Sequence, residues 1–348
     1  MIPETMKAGV MIEPGKIRVQ EVEVPVITDD EVLIKVKYCG ICGTDIHIYN
    51  GVYSKDKLPL IPGHEFVGTI AATGSKVKGW SEGDAVTADI NLCCGSCIYC
   101  LQNKPLLCNE MSQIGIHQNG GFAEYVAVPA KSLFRLNPDV PMEKFALIEP
   151  LSCCVRTFRA AEISFAKSVT IIGAGSMGLL LVQMAKLVGA SPIIMVAREE
   201  DNFDLAVEMG ADHAVVADEN DITKVRELTG GYGSDFVIEA VGRPETYEKA
   251  LKMLAPGGRL VAFGIMQEGK TIPYELFRTV LFEQSVTGAC AGAGINFSET
   301  IQLIEYDRFN LDDYTKNIVP LEEIADGFDT VLKDKSKLKV LIDMEQVK

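Results

Sequence analysis

Short apolar blocks broken by Gly, Pro and Asp turns dominate the first part of the chain. They run Ile17 to Val24, Glu31 to Tyr38, Val67 to Ala72, Ala85 to Ala88 and Ala123 to Val128. Short β-like runs between turn residues predict strands, so residues 1–157 read as a β-rich domain. From residue 158 to residue 292 the pattern changes. Strand-like runs at Ser168 to Ile172, Pro192 to Ala197, Asp235 to Val241 and Arg259 to Gly264 alternate with helix-like segments at Met177 to Val188, Asn202 to Met209 and Glu245 to Leu254. That alternation predicts an α/β domain built on a doubly wound parallel sheet.

The first of these α/β strands ends in G-A-G-S-M-G, so Gly173, Gly175 and Gly178 form GxGxxG between a predicted strand and a predicted helix. Glycines there allow a tight turn, backbone approach to a pyrophosphate and close helix-sheet packing, while the helix N-terminus favours negative charge. In this context the motif predicts a Rossmann dinucleotide site. About twenty residues further on, an NAD-preferring site places an acid against the ribose 2′-hydroxyl. Here that position is Ala197, followed by Arg198. A guanidinium in place of a carboxylate suits a 2′-phosphate, so NADP(H) is expected over NAD(H). The acids Glu199, Glu200 and Asp201 come next, and the competing reading makes Arg198 a solvated loop residue.

Cys94, Cys97, Cys100 and Cys108 follow a C-x2-C-x2-C-x7-C spacing. Two-residue gaps let successive sulfurs turn around one ion, and four thiolates fill every corner of a tetrahedral zinc, so this metal is expected to hold a loop rather than do chemistry. A disulfide framework is the competing reading, less suited to a large chain with only six other cysteines. A second group has a different composition. Cys42 lies in CGICGTDIHIYNG, and PGHEFVG, 22 residues on, supplies His64 and Glu65. One thiolate, one imidazole and carboxylates form the ligand mix of a zinc with an open position. A lone His is more often a satisfied core or turn residue, but two of the chain's four, His47 and His64, fall in these two stretches.

In order along the chain, CGICGTDIHIYNG, PGHEFVG, CGSCIYC, GIHQNGGFAEYVAVPA, ALIEPLSCC and IIGAGSMG resemble the zinc-dependent medium-chain dehydrogenase/reductase family, within it the polyol (sorbitol-like) and threonine dehydrogenase branch. The resemblance implies a GroES-like catalytic domain over 1–157 carrying the zinc loop, a Rossmann domain over 158–292, and a return to the catalytic domain over 293–348. That return would bring a helix near Ser298 to Tyr306 and a last strand at Lys339 to Asp343. Cys42 and His64 resemble catalytic zinc ligands, with Glu65 and Glu149 each able to serve as ligand or as an outer carboxylate. Asp45 would orient the His64 ring. Thr44 would accept the substrate hydroxyl proton and His47 would pass it to water. Two zinc ions per chain follow, one catalytic and one structural.

The implied activity is hydride transfer between a secondary alcohol or its ketone and a nicotinamide cofactor. The alcohol would be a polyol, sugar alcohol or sugar-phosphate-like molecule, with an L-threonine-type amino alcohol as the alternative and an NADP(H)-binding structural protein as the non-enzymatic one. Arg156 and Arg159, soon after Glu149, keep an anionic substrate in view. The resemblance also implies a homotetramer or homodimer. Cys39, Cys93, Cys153, Cys154 and Cys290 need no role beyond small packing residues, and His117 and His213 read as loop or core histidines.

Charge and composition narrow the field further. With 33 basic against 48 acidic residues the net charge is −15, which disfavours a nucleic-acid or anionic-membrane partner. No apolar run is long enough to span a bilayer. Ten cysteines with a thiolate metal site suit a reducing cytoplasm.

Overall fold

The computed structural model describes residues 2–198, 202–289, 291–334 and 336–346. The acids Glu199, Glu200 and Asp201 and the thiol of Cys290 lie outside these residues. The chain forms two compact units: one comprises the chain through Ser152 with Ala293–Asp307 and the stretch from Leu311 onward, the other Cys153–Gly292 with Arg308–Asn310.

The first unit is the GroES-like one, organised around the strand Glu31–Gly40, which pairs antiparallel with Glu65–Thr73, Tyr125–Pro129 and Leu341–Asp343 in a seven-stranded sheet. Val32, Ile34 and Val36 are fully buried on one face, while on the other face Leu33 is buried and Lys35 is exposed, as alternate side chains of a strand point to opposite faces. The first three join a core with Phe66, Phe122 and Phe328, where Phe122 and Phe328 meet edge to face at 5.9 Å. Each such side chain contributes roughly 2 kcal/mol on burial. The predicted strands stand here as Lys16–Glu23, Glu31–Gly40, Glu65–Thr73, Ala85–Ala88 and Tyr125–Pro129. A further strand, Thr5–Glu13, which the turn pattern did not mark, pairs antiparallel with Lys16–Glu23.

The second unit is the Rossmann one. Its six strands are all parallel, in the order His213–Val216, Ile193–Ala197, Val169–Ile172, Ser234–Glu239, Leu254–Ala262, Ser285–Gly288. The central strand Val169–Ile172 is buried along its length, as a parallel strand covered on both faces must be. Chain order reverses on either side of it, and such a switch point opens a crevice at the C-terminal ends of the strands. The glycine-rich turn lies there.

Candidate functional site

Among the described residues, two clusters of side chains that could hold a metal ion stand in the first unit. In one, single ligand atoms of Cys42, His64 and Glu65 lie within 4.8 Å of one another. The sheet brings them together: Gly40 pairs with Glu65 in register, so Cys42, two residues past the end of one strand, faces His64, one residue before the start of its neighbour. The turn ahead of His64 is tightly packed. Gly63 takes φ +94°, and a Cβ there would lie 2.8 Å from Phe122 and 2.9 Å from the Cys39 sulfur.

Asp45, fully buried in the helix Gly43–Tyr49, ties the two stretches together. Its carboxylate accepts the Cys42 amide N–H at 2.8 Å and the Gly63 amide N–H at 3.3 Å, and lies 3.5 Å from His64 Nδ1. Thr44 is half-buried in the same helix and His47 is exposed in its last turn. Glu149 is half-buried in the first turn of the helix Ile148–Ala161 and lies outside the close group of three.

The electrostatics of the group favour a cation. Burial opposes a charged His64 ring, yet Asp45 and Cys42 outweigh it and push the ring well above the ordinary histidine value. A pocket that so rewards positive charge on an imidazole suits a metal dication beside it. Cys39 behaves oppositely: burial, then the charges of Asp45 and Glu65, push its thiol far up, so it packs as a neutral side chain.

The second cluster is Cys94, Cys97, Cys100 and Cys108. Its sulfurs are separated by 3.5 Å (Cys97 and Cys100), 3.6 Å (Cys94 and Cys108) and 3.9 Å (Cys94 and Cys100). Zinc–sulfur bonds of about 2.3 Å in a tetrahedron require edges of about 3.8 Å, so the four thiols fit that ion. Backbone N–H groups of Ser96 and Cys97 hold the Cys94 thiol down to about 6, while burial and the sulfur of Cys97 raise Cys100. All nine described cysteines are free thiols.

The glycine-rich turn of the second unit has its own steric logic. A Cβ at Gly178 would lie 1.7 Å from the Gly173 carbonyl oxygen, and Gly173 takes φ +113°, so neither position admits another residue without a shift. Around Gly175 a Cβ would meet nothing within 4 Å, leaving open space over the backbone that starts the helix Ser176–Leu187. That combination suits a pyrophosphate approaching the helix N-terminus. Ala197 is half-buried at the end of its strand and Arg198 is exposed just beyond. Asn202 donates from its side chain to the Ala174 carbonyl at 2.8 Å, pinning the glycine-rich turn.

Sequence reasoning passed over Lys339. It is buried against Glu65, with Nζ 2.7 Å from Oε1 and 2.5 Å from Oε2. The available signal was a lysine opening the apolar run KVLID, where a buried strand otherwise excludes charge. His117 was read as a loop or core residue. Its Nδ1 accepts the Gln113 amide N–H at 3.2 Å, and its ring meets Tyr53 edge-on at 6.1 Å.

Residues 28–138 match the family model for the alcohol dehydrogenase GroES-like domain, and residues 176–306 match that for zinc-binding dehydrogenases. Among curated relatives, an L-threonine 3-dehydrogenase of Bacillus velezensis is 34% identical over 93% of this chain and 94% of its own length. A D-arabitol-phosphate dehydrogenase of Enterococcus avium is 32% identical over 98% of both chains. A zinc-binding dehydrogenase of Sinorhizobium meliloti, solved with NADP, superposes with a TM-score of 0.92 at 32% identity, over 98% of this chain and all of that one.

Proposed function

The chain belongs to the zinc-dependent medium-chain dehydrogenase/reductase family, in its polyol and threonine dehydrogenase branch, and from that premise we propose how its residues act. It is a zinc-dependent oxidoreductase that transfers hydride between a secondary alcohol and a nicotinamide cofactor. The observation that carries the site assignment is the close grouping of half-buried Cys42 with buried His64 and Glu65, where Asp45 ties the Cys42 turn to the stretch that carries His64.

Cys42 and His64 would hold the catalytic zinc, with Glu65 and Glu149 supplying carboxylates. The four thiolates would hold a second, structural ion. When bound, zinc makes the alcohol easier to deprotonate and the nicotinamide accepts the hydride. The remaining work falls to side chains. Asp45 fixes the Cys42 turn through its amide and holds the His64 ring in place. Thr44, half-buried, takes the hydroxyl proton, and His47, exposed three residues along the same helix, passes it to solvent.

A polyol or sugar-phosphate alcohol is the favoured substrate class, and the D-arabitol-phosphate enzyme among the relatives supports it. Arg156 and Arg159 each have a partner within the protein, so the anionic case rests on that relative and on assay. The threonine-type reading is supported by the 34% identical threonine dehydrogenase. NADP(H) is favoured because Ala197 and Arg198 replace the acid that would bond a ribose 2′-hydroxyl, and because the S. meliloti neighbour was solved with NADP. Assembly as a homodimer or homotetramer is supported by the second unit. Ser285–Gly288 is the last strand of its sheet order, and Leu276, Phe277, Val280 and Leu281 in the preceding helix are exposed.

The test follows reduced-cofactor absorbance with NAD and NADP in parallel over polyols, sugar phosphates and L-threonine, on protein of known zinc content. Turnover of one class with NADP preferred supports the reading. Silence across the panel with two zinc ions bound would sink the substrate assignment. Arg198→Ala should weaken NADPH binding about tenfold with little change for NADH, since a charged hydrogen bond is worth about 1.5–3 kcal/mol; equal losses for both would refute the phosphate contact.

A further inference from the structure

Glu239, in the second unit, is a fully buried carboxylate that the mechanism above leaves without a task. It ends the strand Ser234–Glu239, level with Ile172 on one side and Ala262 on the other, at the C-terminal edge of the parallel sheet. Its Oε1 accepts the amide N–H groups of Val241 at 2.9 Å and Gly242 at 3.0 Å, and the Thr246 hydroxyl at 2.7 Å. Oε2 accepts the Gly242 N–H as well, at 3.0 Å. These partners are neutral. Burial pushes the carboxyl above its ordinary value, and the Thr246, Gly242 and Val241 donors work against that.

The same residue holds the turn that follows the neighbouring strand Leu254–Ala262. Its backbone carbonyl accepts the Phe263 N–H at 3.2 Å and the Gly264 N–H at 2.7 Å. A Cβ at Gly264 would lie 2.4 Å from the Gly242 nitrogen and 2.6 Å from Glu239 Oε2, and one at Gly242 would lie 2.4 Å from the Ile265 carbonyl oxygen. The two turns are therefore packed backbone to backbone around the carboxylate. Buried Tyr247 adds a hydroxyl bond to the Gly264 carbonyl. The first turn also borders the glycine-rich one: Ala240 donates its N–H to the Ile172 carbonyl at 3.0 Å, and a Cβ at Gly173 would lie 2.9 Å from Val241 Cγ2. Val241 and Ile265, one from each turn, are 41% and 65% exposed.

We propose that Glu239 is a cofactor-positioning residue, fixing the turns 240–242 and 263–265 as the wall against which the nicotinamide half of the dinucleotide rests. The inference rests on the nicotinamide-cofactor reading above. A doubly wound sheet takes one mononucleotide on each side of its switch point. Ala197 and Arg198, at the end of Ile193–Ala197, stand on the side that meets the adenosine ribose, so the nicotinamide half falls to Ser234–Glu239 and Leu254–Ala262. Hydride transfer demands a ring held in one orientation. Val241 and Ile265 offer it apolar surface, and a buried carboxylate that binds successive N–H groups keeps their turns from shifting.

The test measures binding without turnover, for wild type, Glu239→Ala, Glu239→Gln and Thr246→Val. Each is titrated with a reduced dinucleotide and with the fragment that lacks its nicotinamide half, NADPH beside adenosine 2′,5′-bisphosphate and NADH beside AMP. Glu239→Ala should bind the whole dinucleotide about tenfold more weakly, the scale of a lost hydrogen-bonded anchor, and bind the fragment as wild type does. Fluorescence of the bound reduced nicotinamide should move towards that of the free cofactor, because the surface against the ring has loosened. Glu239→Gln keeps the size of the side chain and one accepting oxygen, so its loss should be about threefold, with Thr246→Val smaller still.

Equal losses for dinucleotide and fragment would overturn the proposal and make Glu239 a general support of the sheet. Unchanged dinucleotide binding in Glu239→Ala would overturn it too. Should that variant fail to fold, Glu239→Gln decides alone: dinucleotide affinity and nicotinamide fluorescence both as in wild type refute the clamp. Wild type that binds neither NADH nor NADPH would instead remove the oxidoreductase reading, and this inference with it.

Discussion

The thiol cluster at 94–108 and the group around Cys42 both present sulfur to a metal, yet they are built in opposite ways. The first uses four identical donors from one short stretch, all but Cys108 only half-buried, with 3.5–3.9 Å between sulfurs and backbone N–H groups as the main polar company. The second draws one thiol, one imidazole and one carboxylate from two strand ends, with His64 and Glu65 buried and two further charged residues, Asp45 and Lys339, buried behind them. A closed set of like ligands spends its binding energy on shape. A mixed set supported from behind leaves a position open and tunes it. The difference teaches that surroundings, more than the presence of cysteine, separate a closed set of like donors from a mixed set with charged neighbours.

The contrast is most exposed to Cys42→Ala or His64→Ala. Either should lower kcat on the order of a thousandfold or more, since zinc supplies several kcal/mol of transition-state stabilisation. Zinc analysis should then find the four-thiolate ion alone; activity surviving in either variant would erase the distinction. Cys108→Ala should do the reverse. It should lose the other ion and lower Tm by roughly 5–10 °C, while the molecules still folded keep their turnover. Differential scanning calorimetry beside an assay at low temperature separates these two effects.

Asp45→Asn sharpens the point at smaller cost. Losing the carboxylate that faces His64 should reduce catalytic-zinc affinity or kcat/KM about 10- to 100-fold and leave the four-thiolate ion untouched. The smallest effect concerns pH. Because the Cys94 thiol is held near 6 by backbone N–H groups, its thiolate is favoured above that value and is lost as pH falls through it. Chelator-driven release from the 94–108 lobe should therefore steepen below about pH 6. A flat profile across that range would show that the Cys94 environment is not what holds the ion.

Different parts of this molecule were legible for different physical reasons. The glycine-rich turn could be read directly, because Gly178 meets the Gly173 carbonyl five residues away and the constraint is local. The central strands Val169–Ile172 and Ile193–Ala197 were equally plain, since burial on both faces demands an unbroken apolar run. The outer strands His213–Val216 and Ser285–Gly288 escaped notice. Each lies at an end of the sheet order, with part of its surface exposed, so its residues carry no clean period. Of the buried ions around Glu65, the sequence offered Asp45 through its place beside Cys42 in a family-like stretch, but gave no reason to look at Lys339.

The sequence by itself determined what rests on spacing within a few turns of chain: four cysteines within fifteen residues, three glycines between a strand and a helix, and a cysteine and histidine in recognisable surroundings. Only the tertiary structure decided which charges stand behind the group of Cys42, His64 and Glu65. Lys339 and Glu65 are 274 residues apart and meet because Gly40 pairs with a strand on either side. Sheet register, a property of three strands together, sets that contact, and no local pattern in any one of them records it.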